Sequence, residues 1–169
     1  MSLHHINTIF RNPYLYAQAM KIFLSEFNHG CPVQKLFVGI AILEYEEARE
    51  KLSNANSRSS FRTLFDTASN EMSGIKLDGN SRLVAFYQRY RLIYGDLKRA
   101  LLLLLNDGIA RFDGSTGMVA LLKYDSQDYY DMLVTERLKA YQKAAKSLGK
   151  LMLHTSDETL EYYLGAHFA

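Results

Sequence analysis

The fold is decided by the stretch Leu36-Phe37-Val38-Gly39-Ile40-Ala41-Ile42-Leu43, whose apolar side chains would point to every side of a helix. A helix that is apolar all round must be buried, so we expect this segment at the centre of the hydrophobic core. Pro32 begins the predicted helix. The charged residues from Glu44 to Arg49 continue it as an amphipathic helix.

The preceding segment predicts a helix that packs on this centre. Asn12-Pro13 is a start signal, because asparagine caps a helix and proline is favoured at the first helical position. One apolar stripe at helical spacing follows it, formed by Tyr16, Met20, Phe23 and Phe27.

The second half of the chain predicts two helices and a hairpin. The first helix begins at about Ser81 and pauses near Gly95, and a leucine-rich helix runs from Asp96 to Asn106. Two short β-prone runs, Ile109–Phe112 and Met118–Leu121, flank an Asp-Gly turn and predict a β-hairpin. Helix, helix and hairpin in this order are typical of a winged helix.

These patterns predict a mainly α fold, a multi-helix domain that contains a winged-helix-like unit with one β-hairpin. A chain of 169 residues is long enough for one domain with its own core. We therefore expect a single domain over 1–169. Its helical N-terminal part covers about 12–68, its winged-helix-like part about 80–122, and its C-terminal helices about 126–165.

A short helix near the end of the chain is the first candidate for partner binding. Thr155 and Glu158 have the spacing of a capping box. A helix this short is marginal in water, so it must dock either on the chain's own core or on another protein. The sequence leaves both alternatives open. The candidate contact residues are Leu160, Tyr162, Tyr163 and Leu164.

A row of lysines is the second candidate surface. It lies on the last long helix, predicted from about Gln127 to Leu151, at spacings of three and four residues that share one helix edge. The sequence leaves three interpretations of this row open: a solvated helix face, a sequence-independent contact to a nucleic-acid backbone, or a contact to an acidic protein. The residues are Lys139, Lys143, Lys146 and Lys150.

Sequence-specific DNA reading is disfavoured. A reading helix must show polar side chains to base edges, and here that helix would be Leu97–Leu105. Lys98 and Arg99 are its polar residues, and five consecutive leucines leave it no hydrophilic face. We therefore interpret the wing as scaffold and as a candidate surface for protein docking.

Composition and chemistry point away from several function classes. The net charge of +2 gives no general affinity for nucleic acid, and no apolar run approaches the roughly 18 residues of a membrane helix. The first residues lack a signal-peptide pattern, and the single cysteine, Cys31, fits a reducing cytoplasm. His29, His154 and His167 match no zinc spacing. We therefore expect a cytoplasmic protein that is no enzyme and has no cofactor, metal or membrane partner.

Several segments, taken in order, resemble the middle component of bacterial ABC three-component (ABC-3C) systems. The resemblance covers nearly the whole chain and rests on the succession of segments. They are Asn12-Pro13, Leu36–Leu43, Ala48-Arg49-Glu50-Lys51-Leu52, Arg99-Ala100-Leu101-Leu102 to Gly108, and Thr159-Leu160-Glu161-Tyr162-Tyr163-Leu164-Gly165.

The resemblance implies a role in a complex. Proteins of this kind are encoded between or beside an SMC-like ABC ATPase and an effector that is often a nuclease, and Lamassu antiphage defence belongs to the group. This chain would then be the non-catalytic subunit that ties the ATPase to its effector. The 12 tyrosines suit that role, because tyrosine is enriched at protein interfaces. A winged-helix DNA-binding protein or regulator is the alternative.

Overall fold

The computed structural model describes residues 12–56, 58–61, 64, 86–122 and 136–164. Most of these residues are helical, which confirms the prediction of a mainly α fold. The helices are α1 (Pro13–Leu24), α2 (Val33–Ile42), α3 (Glu46–Ser53), α4 (Phe86–Asn106), α5 (Glu136–Leu153) and α6 (Asp157–Leu164). The strands are β1 (Cys31–Pro32), β2 (Ala110–Asp113) and β3 (Met118–Leu121). The helix starts predicted near Ser81 and Gln127 lie outside the described residues.

α1 begins where the sequence predicts. The Tyr14 amide donates to Asn12 Oδ1 at 2.9 Å, and Pro13 occupies the first turn, where its missing amide leaves no hydrogen bond unmade. The predicted apolar stripe is confirmed by the burial of Tyr16, Met20, Phe23 and Phe27.

α2 lies inside the core, as its apolar sequence predicts. Every residue from 36 to 43 is buried. The hydrophobic cluster around it includes side chains from every helix and strand named above. In β1 the contributing side chain is that of Cys31, because Pro32 is exposed.

α2 and α3 are separate helices, so the prediction of one continuous helix is wrong. Between them Tyr45 adopts an extended conformation, with φ of −87° and ψ of 117°. The Arg49 guanidinium donates to the Leu43 carbonyl at 2.6 Å and so satisfies an acceptor that the broken helix leaves open. Glu46 and Glu47 occupy the first turn of α3, where the helix dipole favours carboxylates.

α4 is continuous through Gly95, so the predicted pause between two helices is wrong for the described residues. Glycine in a helix interior costs about 1 kcal/mol relative to alanine, which the packing of a 21-residue helix can offset. No neighbouring atom lies within 4 Å of the position of a Cβ on Gly95. The helix-turn-helix step of the expected winged-helix unit is therefore absent between 86 and 106.

The predicted hairpin is confirmed, and it gains a strand that the sequence does not predict. β2 and β3 are antiparallel, with Phe112 opposite Val119, and β1 pairs with the other edge of β3, with Cys31 opposite Val119. In the turn, the Ser115 hydroxyl and amide donate to Asp113 Oδ1 at 2.6 and 2.9 Å. These bonds lower the pKa of the Asp113 carboxyl. The sheet thus joins the hairpin to the N-terminal part of the chain.

The cap of α6 lies one residue later than the predicted capping box of Thr155 and Glu158. The Thr159 amide donates to Ser156 Oγ at 3.3 Å, so Ser156 is the capping residue. Thr155 instead donates its hydroxyl to the Leu151 carbonyl at 2.6 Å. Thr155 therefore closes the end of α5, and Ser156 caps α6.

Three helices meet closely at Phe23 of α1. A Cβ on Gly39 of α2 would lie 2.7 Å from Phe23 Cε2, and a Cβ on Gly149 of α5 would lie 2.8 Å from the Phe23 carbonyl oxygen. Both separations are shorter than the contacts that a real Cβ makes with carbon or oxygen atoms. The backbones of α2 and α5 can therefore approach α1 this closely only because both positions lack a side chain.

We expect Gly149→Ala to lower the free energy of unfolding by about 1–3 kcal/mol, because the new methyl group meets backbone that cannot rotate away. The matched control is Gly95→Ala, which should raise it by about 0.5–1 kcal/mol because that helical position is open. Denaturant unfolding followed by circular dichroism measures both. Stabilisation by both alanines would contradict the close approach.

Candidate protein interface

The structure buries three of the four residues predicted to bind a partner through the terminal helix. Leu160, Tyr163 and Leu164 lie in the chain's own core. Of the two alternatives for this helix, docking on its own core is therefore the one observed. Tyr162 projects outward, with 68% of its surface exposed. In this conformation Tyr162 is the member of the set that a partner can reach.

α6 is held inward from both ends. At its start, Lys35 Nζ of α2 donates to the Thr155 carbonyl at 2.7 Å and lies 3.4 Å from Asp157 Oδ1. The Lys35 side chain is only 13% exposed. Near its end, the Tyr163 ring packs on Phe61 with centroids 5.5 Å apart. These contacts fix the helix to two other parts of the chain.

The lysine row lies on the exposed edge of α5. Tyr141, Ala145, Leu148 and Met152 occupy the opposite, buried face of this helix. The structure places all four lysines of the row on the surface: Lys139, Lys143, Lys146 and Lys150.

A different surface, which is not among the sequence predictions, runs along α4. Its members recur every three or four residues, so they share one side of the helix. Tyr87 is 59% exposed, Leu102 is 55% exposed and Tyr94 is 39% exposed, and the two cations between them are also on the surface. We call this surface the α4 outer face and define it as Tyr87, Arg91, Tyr94, Lys98 and Leu102.

Each cation of the α4 outer face lies over a ring one turn earlier. Arg91 Cζ is 5.8 Å from the centroid of Tyr87, and Lys98 Nζ is 4.7 Å from the centroid of Tyr94. A cation over an aromatic face is attracted by the electron density of the ring. The pairs hold long, otherwise mobile side chains close to the helix.

One tyrosine of the face, Tyr94, is also held from beneath. Its ring and that of the buried Phe37 of α2 pack in a T-shaped arrangement with centroids 5.8 Å apart, and Tyr90 lies beside Tyr94 at 5.6 Å. Burial is the main cause that raises the pKa of Tyr90 to about 12, and the neighbouring Tyr94 and Tyr87 raise it further. The Tyr90 hydroxyl therefore stays neutral at physiological pH. The face is aromatic, and its charge comes from the two cations.

The described residues offer no group of three or more His, Cys, Asp or Glu placed to hold a metal ion. Among the same residues, no helix combines the length and apolar character needed to cross a bilayer. Cys31 is fully buried, and burial raises the pKa of its thiol to about 12. A thiol in this state is a poor nucleophile at neutral pH.

The sequence does contain the signal for the α4 outer face, in the spacing of its residues. The predicted pause near Gly95 divides this row, because it separates Tyr87 from Lys98. Because α4 is one helix, the tyrosines before Gly95 and the residues after it form a single row. A prediction that divides the helix at Gly95 therefore does not identify the α4 outer face.

We expect Tyr163→Ala to reduce the free energy of unfolding by about 3 kcal/mol, because it removes a large ring from the core. Tyr162→Ala is the matched control. It should change the free energy of unfolding by about 1 kcal/mol or less, since the Tyr162 ring is exposed and contacts only part of the Tyr163 ring. Chemical denaturation of the two purified variants checks this. Equal effects would show that α6 is not docked as described.

The comparisons with known proteins agree with the resemblance carried by the sequence segments. A family model described as ABC-three component (ABC-3C) system Middle Component 3 matches residues 2–168. Searches of curated proteins and of solved structures found no match. Because the family model covers nearly the entire sequence, the chain belongs to the Middle Component 3 family of ABC-three component systems.

Proposed function

We propose that this chain is a non-catalytic adaptor subunit of a cytoplasmic bacterial antiphage defence complex. It links an SMC-like ABC ATPase to an effector such as a nuclease, in a system of the Lamassu group. Family membership over residues 2–168 is the observation that carries the proposal, because a middle component implies partner subunits.

The distribution of exposed groups supports an adaptor. α1 makes its most extensive contacts with α4 and α5. The outward sides of these two helices carry different chemistry: aromatic rings with cations on α4, and a row of lysines on α5. A subunit that joins two others needs two separate surfaces, and two helices that both pack on α1 provide them.

The test is reconstitution from defined components. The chain, the ATPase and the effector encoded beside it are co-expressed, with an affinity tag on the ATPase. We expect all three to elute together in size-exclusion chromatography. We expect the ATPase and effector to elute apart when this chain is omitted. Co-elution of the two without this chain, or elution of this chain by itself, would contradict the adaptor role.

Contact with a nucleic-acid backbone is a second candidate function. Its supporting observation is the exposure of all four lysines along one edge of α5. Lysine contacts to phosphate release counterions, so they are independent of base sequence and weaken steeply with salt. The α4 segment Leu97–Leu105 is poorly suited to reading bases, because Leu97, Leu101 and Leu104 are buried.

For this second candidate, we expect the isolated protein to bind duplex DNA at low salt, and binding to disappear when the four lysines are replaced by glutamate. Fluorescence anisotropy over a series of salt concentrations measures it. The control replaces Arg58 and Arg111, which are exposed outside α5, by glutamate. No binding by the unaltered protein at low salt would remove this candidate and leave the adaptor role.

A further inference from the structure

We propose that the α4 outer face docks an acidic, amphipathic helix of a partner subunit. The inference rests on the adaptor role and deepens it, because it names the surface and the chemistry of the segment that binds there. Three features of α4 support it: the length of its exposed row, its charge and the contacts among its side chains.

The dimensions suit a helix. From Tyr87 to Leu102 the row is about 22 Å long at 1.5 Å per residue, which matches about four turns of a second helix. Tyr87, Tyr94 and Leu102 give it apolar contact at both ends and in the middle, and Leu105 extends it half-buried. A row of anchors at three- and four-residue spacing is how amphipathic helices recognise one another.

Charge complementarity selects an acidic segment. α4 contains four lysines or arginines and a single carboxylate, Asp96. That carboxylate is already bound to Arg99 at 3.0 Å. Neither Arg91 nor Lys98 forms an ion pair with a described carboxylate. Their positive charge is available to glutamate or aspartate side chains of a partner.

The same geometry disfavours the other occupants. A base would have to stack on a tyrosine face, but Arg91 and Lys98 already cover one face of Tyr87 and of Tyr94. A second copy of this chain would bring like charges together across a symmetric contact. Exposed Leu102 also gives apolar surface that a protein helix buries and a phosphate backbone does not.

The test uses the co-expressed complex with the double variant Arg91→Glu and Lys98→Glu. We expect its affinity for the partner to fall about tenfold or more, because two attractive contacts become repulsive. The matched control is Arg58→Glu with Arg111→Glu, which makes the same change of charge at two other exposed positions. A neutral variant, Leu102→Ser, should also weaken binding, and the melting temperature of each variant shows that it is folded.

A photo-crosslinking residue at position 102 identifies the occupant. A crosslink to an acidic helix of the ATPase or the effector supports the proposal. Unchanged affinity in the double variant, or a crosslink to a second copy or to nucleic acid, overturns it and leaves the adaptor role intact. If the unaltered chain forms no complex at all, the adaptor role fails and this inference fails with it.

Discussion

The close approach of three helices at Phe23 is the constraint on which the rest of the structure depends. Gly39 and Gly149 have no side chains, so α2 and α5 pack directly against the ring and the backbone of α1. Met152 also reaches this point, where its sulfur lies 3.1 Å from the position of a Cβ on Gly39. With α1 fixed between these helices, its other contacts position α4. The contacts of α1 therefore form the core and also fix the positions of the helices that carry the exposed surfaces.

This packing decides which side chains a partner can reach. α6 follows α5 after a tight turn and is held by Lys35 and Phe61, so Leu160 and Tyr163 complete the core. Within the part of the chain that the structure describes, α4 is covered on one side only. Its outer rings and cations remain at the surface, held in place by contacts within the chain. A prearranged surface loses less conformational entropy when it binds.

Much of the fold could be predicted because local patterns and tertiary packing agree. Asn12 caps α1, the all-apolar segment of α2 is buried, and the Asp-Gly turn forms a hairpin. The failures occur where a specific contact overrides the local sequence signal. Arg49 stabilises the break before α3, the packing of α4 carries it through Gly95, and β1 is too short to be visible without β3. The α4 outer face is not predicted from the sequence for the second of these reasons, because the expected pause at Gly95 divides its row of residues.

Amide hydrogen exchange of the chain, measured alone and in its complex, tests the central claim most directly. The claim is that the chain forms its own core, with α6 inside and α4 available to a partner. We predict that α6 is protected in the isolated chain and that the complex adds protection to α4 while leaving α6 unchanged. An α6 that exchanges freely alone and becomes protected only in the complex would contradict it.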